Sequence, residues 1–275
     1  MAYYEWRAAR RRRTLAVVIL LLVAGYGLVV PIVSGHAPTD QRLALRLSPP
    51  GTVGHLFGTD EFGRDVATRL AYGARAAAGT AGTGILFALV LGVPLGIAAG
   101  LERRIIDPLV SLLIDAMLSF PGVLLAIALL TVLGAGSGQV SLALGLMFAP
   151  LYARTTRSET LSVSAEPFVT VSRGLGSHPL YTVWLHILPN VLPQALVLSA
   201  SVAAVSITIE AALSFLGLGI APPAASWGLM LRDARNYLGT APWLAILPGA
   251  MLGLSVFSLN TLGDAFAEWM LNPHR

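Results

Sequence analysis

The sequence predicts an all-α integral membrane protein with about six membrane-spanning helices. Three observations carry that reading. Of 275 residues, 55% are apolar and only 12% charged, with a mean hydropathy of +0.73; a soluble domain carries about 25% charged residues in its shell. The apolar residues gather into runs near 14–33, 73–100, 105–133, 139–156, 183–211 and 243–264. Each run covers a hydrocarbon core of about 30 Å, for which about 20 helical residues suffice. The net charge of +4 comes from arginines beside apolar runs, which points to membrane orientation and lipid contact rather than to nucleic acid.

The first run follows Arg10, Arg11, Arg12 and Arg13. That cluster favours a cytoplasmic N-terminus. A leader cleaved near Val33-Ser34-Gly35 is disfavoured, because the run exceeds the roughly 7–15 residues of a signal core. Residues 34–72 are polar and rich in Pro and Gly and read as an external loop. Five further spans then fill 73–264, with a cytoplasmic loop at 157–182 and an external loop at 212–242. The tail 265–275, with Arg275, returns to the cytoplasm. The run at 139–156 is the shortest. Pro94, Pro121 and Pro248 are expected to kink their helices and free carbonyls. Gly92, Gly96 and Gly100 recur every four residues on one face, and Gly249 and Gly253 repeat the spacing. Such stripes let helices approach closely, within the chain or between subunits.

Two segments stand out from the spans. In His55-Leu56-Phe57-Gly58-Thr59-Asp60-Glu61-Phe62-Gly63-Arg64-Asp65, Gly58 and Gly63 predict tight turns. Asp60, Arg64, Asp65 and Arg69 are expected to pair among themselves, giving an external cap held by ion pairs. A catalytic carboxylate pair, or a metal site on His55 and Asp60, is the weaker reading. The second segment runs from Glu159 to Asn190. Ser164 is the expected N-cap of a short helix, with Glu166 and Pro167 in its first turn. Phe168, Val171 and Leu175 share one face, Arg173 lies beside them, and Gly176 suits a left-handed stop. Ser177 and Pro179 begin a second short helix. An amphipathic helix of this kind either lies on lipid or docks into a soluble partner.

Several functions are excluded or weakened. All eighteen basic residues are arginine. A GxxxxGK[ST] phosphate loop is therefore absent, and the chain is expected to hydrolyse no ATP itself. With no cysteine, disulfide and thiolate chemistry are excluded. The five histidines are scattered, so neither a metal centre nor an intramembrane enzyme is expected. An ion-coupled secondary transporter would show an internal repeat of spans, and none is visible. Asp115 and Glu210 lie within spans, where ionisable groups tend to be paired or functional. Glu210 is expected at the external end of its helix, eased by solvent.

The segment from Glu159 to Asn190 resembles the coupling loop of binding-protein-dependent ABC importer permeases. Leu56 to Arg75 (LFGTDEFGRDVATRLAYGAR), Glu210 to Gly219 (EAALSFLGLG), Trp227 to Asp233 (WGLMLRD) and Asn260 to Asp264 (NTLGD) resemble the C-type subunit of the dipeptide/oligopeptide/nickel permease family. The resemblance covers nearly the whole chain in order. It implies a type I importer permease fold in a bacterial inner membrane. It also implies partners: a second, homologous permease subunit, two cytoplasmic ATPases that carry the ATP and magnesium, and an external binding protein. Peptides are the implied substrate, with nickel chelates, opines or other small solutes as alternatives. The chain departs from the family at Thr170, where a glutamate is usual, at Val171 and Ser172, where alanines are usual, and at Leu112, where an arginine is frequent. Asp107, Asp115 and Pro121 match.

Overall fold

The structure, a computed structural model, describes residues 2–271. Arg275 lies outside them. Helix α1 spans Ala2–Val33 and α2 spans Val66–Leu101. α3 (Ile106–Leu118) and α4 (Gly122–Leu133) follow, and then α5 (Ser137–Ser164). α6 is Pro167–Gly174 and α7 is Pro179–Thr182. A π-helical turn over Val183–Ile187 joins α7 to α8 (Leu188–Phe215). α9 (Trp227–Ala234) and α10 (Trp243–Leu271) complete the chain. Among the described residues, strand-like pairing is limited to the isolated bridges Thr52–His55 and Thr59–Asp65.

Among the described residues, four stretches are long and apolar enough to cross a membrane: Arg11–Val33, Val66–Leu101, Pro179–Phe215 and Trp243–Met270. The expected continuous span at 105–133 is instead two helices meeting at 88°. Pro121 causes the break. It cannot donate to the preceding turn and its ring crowds it, so α3 ends at Leu118 and α4 starts afresh at Gly122. Pro94 and Pro248 lie inside α2 and α10, which run on past them. The run at 139–156 is covered by α5. This helix is 28 residues long, about 42 Å, but its last turns carry Arg154, Arg157 and Glu159. α2 also begins earlier than the apolar run, because Asp65 caps it at Val66.

α2 and α5 pack side by side at the centre and run in the same direction, Gly84 meeting Leu144 and Gly100 meeting Thr160. The glycine stripe explains how: a Cβ on Gly92 would sit 2.6 Å from Tyr152 Cβ, and one on Gly100 2.6 Å from Thr160 Cβ. The stripe is thus an intramolecular seam. Gly253 meets nothing within 4 Å and Gly249 only Leu231, at 3.9 Å, so the second stripe is open.

The buried side chains form a cluster at each end of this seam. Val66, Leu70, Trp227, Met230 and Leu244 pack where α2 starts. Ile97, Tyr152, Val169, Ile187 and Val191 pack where it ends. The two ends therefore differ: one bears the 34–65 cap, the α4–α5 turn and α9, the other bears α6 and α7.

Candidate functional site

At the α6 end, the sequence places a proline at the first helical position, where a missing N–H costs nothing. Glu166, not Ser164, is the N-cap, and it makes no side-chain capping bond. α5 continues through Ser164 because its turns hold, and the Ser164 hydroxyl is buried without a partner. The helix stops as expected. Gly176 has φ +84°, Ser177 N donates to Ser172 O at 3.2 Å, and Gly176 N donates to Arg173 O at 3.0 Å. This is a Schellman ending, which needs a residue free to adopt positive φ. His178, rather than Ser177, caps α7, accepting from Leu180 N at 3.3 Å.

Val169 points into the core and is fully buried, while Glu166, Thr170 and Arg173 are exposed. The apolar face is also open: Phe168, Val171 and Leu175 are 45%, 59% and 83% exposed. Phe168 meets the edge of His186 at 5.7 Å, and Tyr181 meets the same ring at 6.1 Å. His186 lies in the π-helical turn at the base of α8. The structure therefore fastens α6 to α8 by one buried valine and an aromatic contact, and leaves a greasy face uncovered. The sequence reading missed His186, whose only signal was its proximity to Pro189.

Nearby, Arg157 Nη2 donates to Asp107 Oδ2 at 2.8 Å, tying the end of α5 to the start of α3. Asp115 is exposed on α3, within electrostatic reach of Arg157. Glu102 closes α2, and its carboxylate accepts from the N–H groups of Ile106, Ile105 and Arg104 at 2.6, 2.8 and 2.9 Å. Those three donors hold its pKa below the usual carboxylate range.

At the opposite end the cap is folded around buried charges. Asp60 takes Arg64 Nε at 2.6 Å and Arg69 Nε at 3.3 Å, and Arg64 also reaches Glu61 at 3.0 Å. Burial, and then the neighbouring Asp60, push the Glu61 carboxyl above its ordinary range. Asp65 departs from expectation: it does not join the arginines. It accepts from Thr68 N and Thr68 Oγ1, both at 2.7 Å, and pairs with His55 Nδ1 at 2.9 Å. The reason is position, since the residue before Val66 faces the free N–H groups of α2. Thr59 is fully buried, bonded to Leu45 O and Ser48 N. Gly58 and Gly63 have φ +74° and +70°, as tight turns require. Among the described residues no cluster could hold a metal ion.

A cavity of about 820 Å³ opens at the cap end, lined by Arg75, Thr80, Thr83, Ser141, Ala221 and Ala224 among others. Its wall includes the loop after α8. Glu210 lies just before that loop, but solvent does not ease it. It is 1% exposed, because α9 packs against α8 there so closely that a Cβ on Gly228 would meet Ala211 Cα at 2.7 Å. Glu210 is instead satisfied by hydroxyls, with Ser214 Oγ donating to it at 2.7 Å.

A long parallel α2–α5 pair, a polar-ended helix leading into a short exposed amphipathic helix, and a capped opposite end make a scaffold for coupling motion across a membrane. Known sequences decide which scaffold. Residues 92–272 match the binding-protein-dependent transport system inner membrane component family. The chain belongs to this family.

Its relatives in the family span most of its length. The dipeptide transport system permease protein of Alkalihalophilus pseudofirmus is 35% identical over 273 residues, 97% of this chain and 90% of that one. A putative peptide transport system permease protein of Brucella suis is 37% identical over 264 residues, 96% of this chain and 88% of that one. A glutathione transport system permease protein of Pectobacterium atrosepticum is 33% identical over 223 residues, 81% and 74% of the two chains. Among solved structures, an inward-facing MetNI methionine ABC transporter matches with a TM-score of 0.56 at 20% identity, over 72% of this chain and 96% of that one. The chain thus has the fold of an ABC importer permease and is a multi-pass membrane component of such a system.

Proposed function

We propose that the chain is one of two different permease subunits of an ATP-driven importer, forming half of a translocation pathway for peptides delivered by an external binding protein. The observation that carries this reading is the 35% identity to a dipeptide permease over 97% of the chain. The chain itself catalyses nothing and binds no cofactor; ATP and magnesium belong to two cytoplasmic ATPase subunits. It sits in a bacterial inner membrane with both termini, α6 and α7 in the cytoplasm and the 34–65 cap outside, as the Arg10–Arg13 cluster favours.

Glu166, Phe168, Val171, Arg173, Leu175 and Gly176 form the ATPase-coupling segment. When the ATPases close, their grooves carry α6 with them. Val169 shares a core with Ile187 and Val191, so α8 must follow. Rocking of packed helices between two arrangements then opens one side or the other. The cap residues Gly58, Thr59, Asp60, Gly63, Arg64 and Asp65 hold the external end rigid. Purification of the intact complex from native membranes, with mass spectrometry of its subunits and of the ligand on its binding protein, tests the reading. Two ATPases, a second permease and a bound peptide are expected. A chain isolated with no ATPase would overturn it.

A further inference from the structure

We propose that Glu210 is a positioning residue for transport, anchoring the 217–226 loop to the far end of α8 so that this wall of the cavity moves with the helix. Both ends of the loop converge on its carboxyl group. At the first end, Ser214 Oγ donates to Glu210 Oε1 at 2.7 Å and accepts from Ile220 N at 3.0 Å. At the second, Ser226 Oγ accepts from Leu229 N at 3.1 Å, capping α9, and its side chain lies beside the Glu210 carboxyl group.

Each hydroxyl has one proton to give. Giving it to Glu210 leaves the Ser214 oxygen aimed at the backbone N–H of Ile220 in the loop. Without the carboxyl group, Ser214 has the alternative that Ser255 and Ser258 take in α10, back-bonding to the carbonyl four residues earlier at 2.7 Å. Ile220 N–H would then be buried without its acceptor, a costly state.

The anchored loop is also stiff elsewhere. Gly217 has φ +84°, Gly136 N donates to Gly219 O at 3.0 Å, and Trp227 Nε1 donates to Leu70 O at 3.0 Å. Ile220, Ala221, Pro223, Ala224 and Ala225 of this stretch face the cavity. α8 starts at the π-helical turn beside α6, so Glu210 joins the two ends of one path: coupling helix, α8, cavity wall. The inference rests on the importer reading for its role in transport, but not for the anchoring itself.

The chain has no cysteine, so a spin-label pair at Thr39→Cys and Ala224→Cys, both exposed at the cavity, reports the loop cleanly. Distances are measured by pulsed electron resonance in the assembled complex, alongside ATP-dependent peptide uptake. Glu210→Ala is expected to broaden the distance distribution and to lower uptake roughly tenfold or more, the scale of a buried hydrogen-bonding group left without its partner. Glu210→Gln keeps one acceptor oxygen and should narrow the distribution again and restore part of the uptake. Should Glu210→Ala fail to assemble, Ser226→Ala, which removes one arm outside α8, decides by the same criteria. Unchanged distances in the alanine variants overturn the anchoring, and broadened distances with undiminished uptake overturn the role in transport. An unsubstituted complex that takes up no peptide refutes the peptide reading and leaves the distances to decide the anchor.

Discussion

Leu175→Ala is expected to loosen the ATPase subunits more than any other single truncation on α6. Burying a large apolar side chain fully is worth about 1.5–3 kcal/mol. Docking can recover only the part still exposed. Leu175 is 83% exposed, against 59% for Val171 and 45% for Phe168, which already leans on His186. Scaled in this way, Leu175 brings about 2 kcal/mol and the others about 1 kcal/mol each, so the whole face brings about 4 kcal/mol, roughly a thousandfold in affinity. Alanine keeps the Cβ of Leu175, so the single change should cost roughly tenfold in affinity. Thr170 stands where the family resemblance implies an acid, and one exposed ion pair is worth only about 0–1 kcal/mol. The assay is dissociation of labelled ATPase subunits from the permease pair in nanodiscs, at low and high salt. An apolar dock is nearly indifferent to salt. If Leu175→Ala binds as tightly as the unsubstituted chain while high salt or Arg173→Ala strips the ATPases, the docking is ionic and this reasoning fails.

Gly96→Ala and Gly253→Ala should move stability in opposite directions. A Cβ on Gly96 would press 2.8 Å from Arg157 N on α5, and overpacking of about 1–3 kcal/mol exceeds the about 1 kcal/mol that alanine gains in a helix. Gly253 faces open space, so its variant keeps that gain; melting of the purified complex reads both. Asp60→Asn removes the carboxylate that pairs with buried Arg69 and one of the two that pair with Arg64, at a cost of about 3 kcal/mol, and limited proteolysis of residues 34–65 should speed up accordingly. Glu102 has a depressed pKa from its three backbone donors. Its contribution is therefore present above the ordinary carboxylate range and is lost as pH falls through the depressed folded value. Hydrogen exchange at Ile105 and Ile106 should quicken over that acid window, and Glu102→Ala should quicken it already at neutral pH.

Much of this was legible because hydropathy and turn chemistry are local. The first, second, fifth and last apolar runs became helices of spanning length, and Gly176 took the positive φ that its place after α6 demanded. The glycine stripes show the limit of periodicity. Gly92, Gly96 and Gly100 face a neighbouring helix while Gly253 faces nothing within 4 Å, and the same spacing fits both. The third run looked continuous because apolar composition does not record direction, and only Pro121 hinted at the 88° break. Partners distant in sequence were the hardest to see. Ser226 approaches Glu210 only because Gly228 lets α9 lie on Ala211. Asp65 chose His55 and the α2 N-terminus over the arginines because helix geometry put unpaired N–H groups in front of it.

The central claim is that this chain conducts peptides only when driven by separate ATPases. The most direct measurement is uptake of a labelled dipeptide into liposomes containing the purified complex, with binding protein added on the outside. ATP inside should drive accumulation. The same liposomes without ATP, or with the ATPase subunits stripped away, should take up none, and the isolated chain should hydrolyse no ATP. Accumulation driven instead by an imposed proton or sodium gradient, or ATP turnover by the isolated chain, would contradict the account.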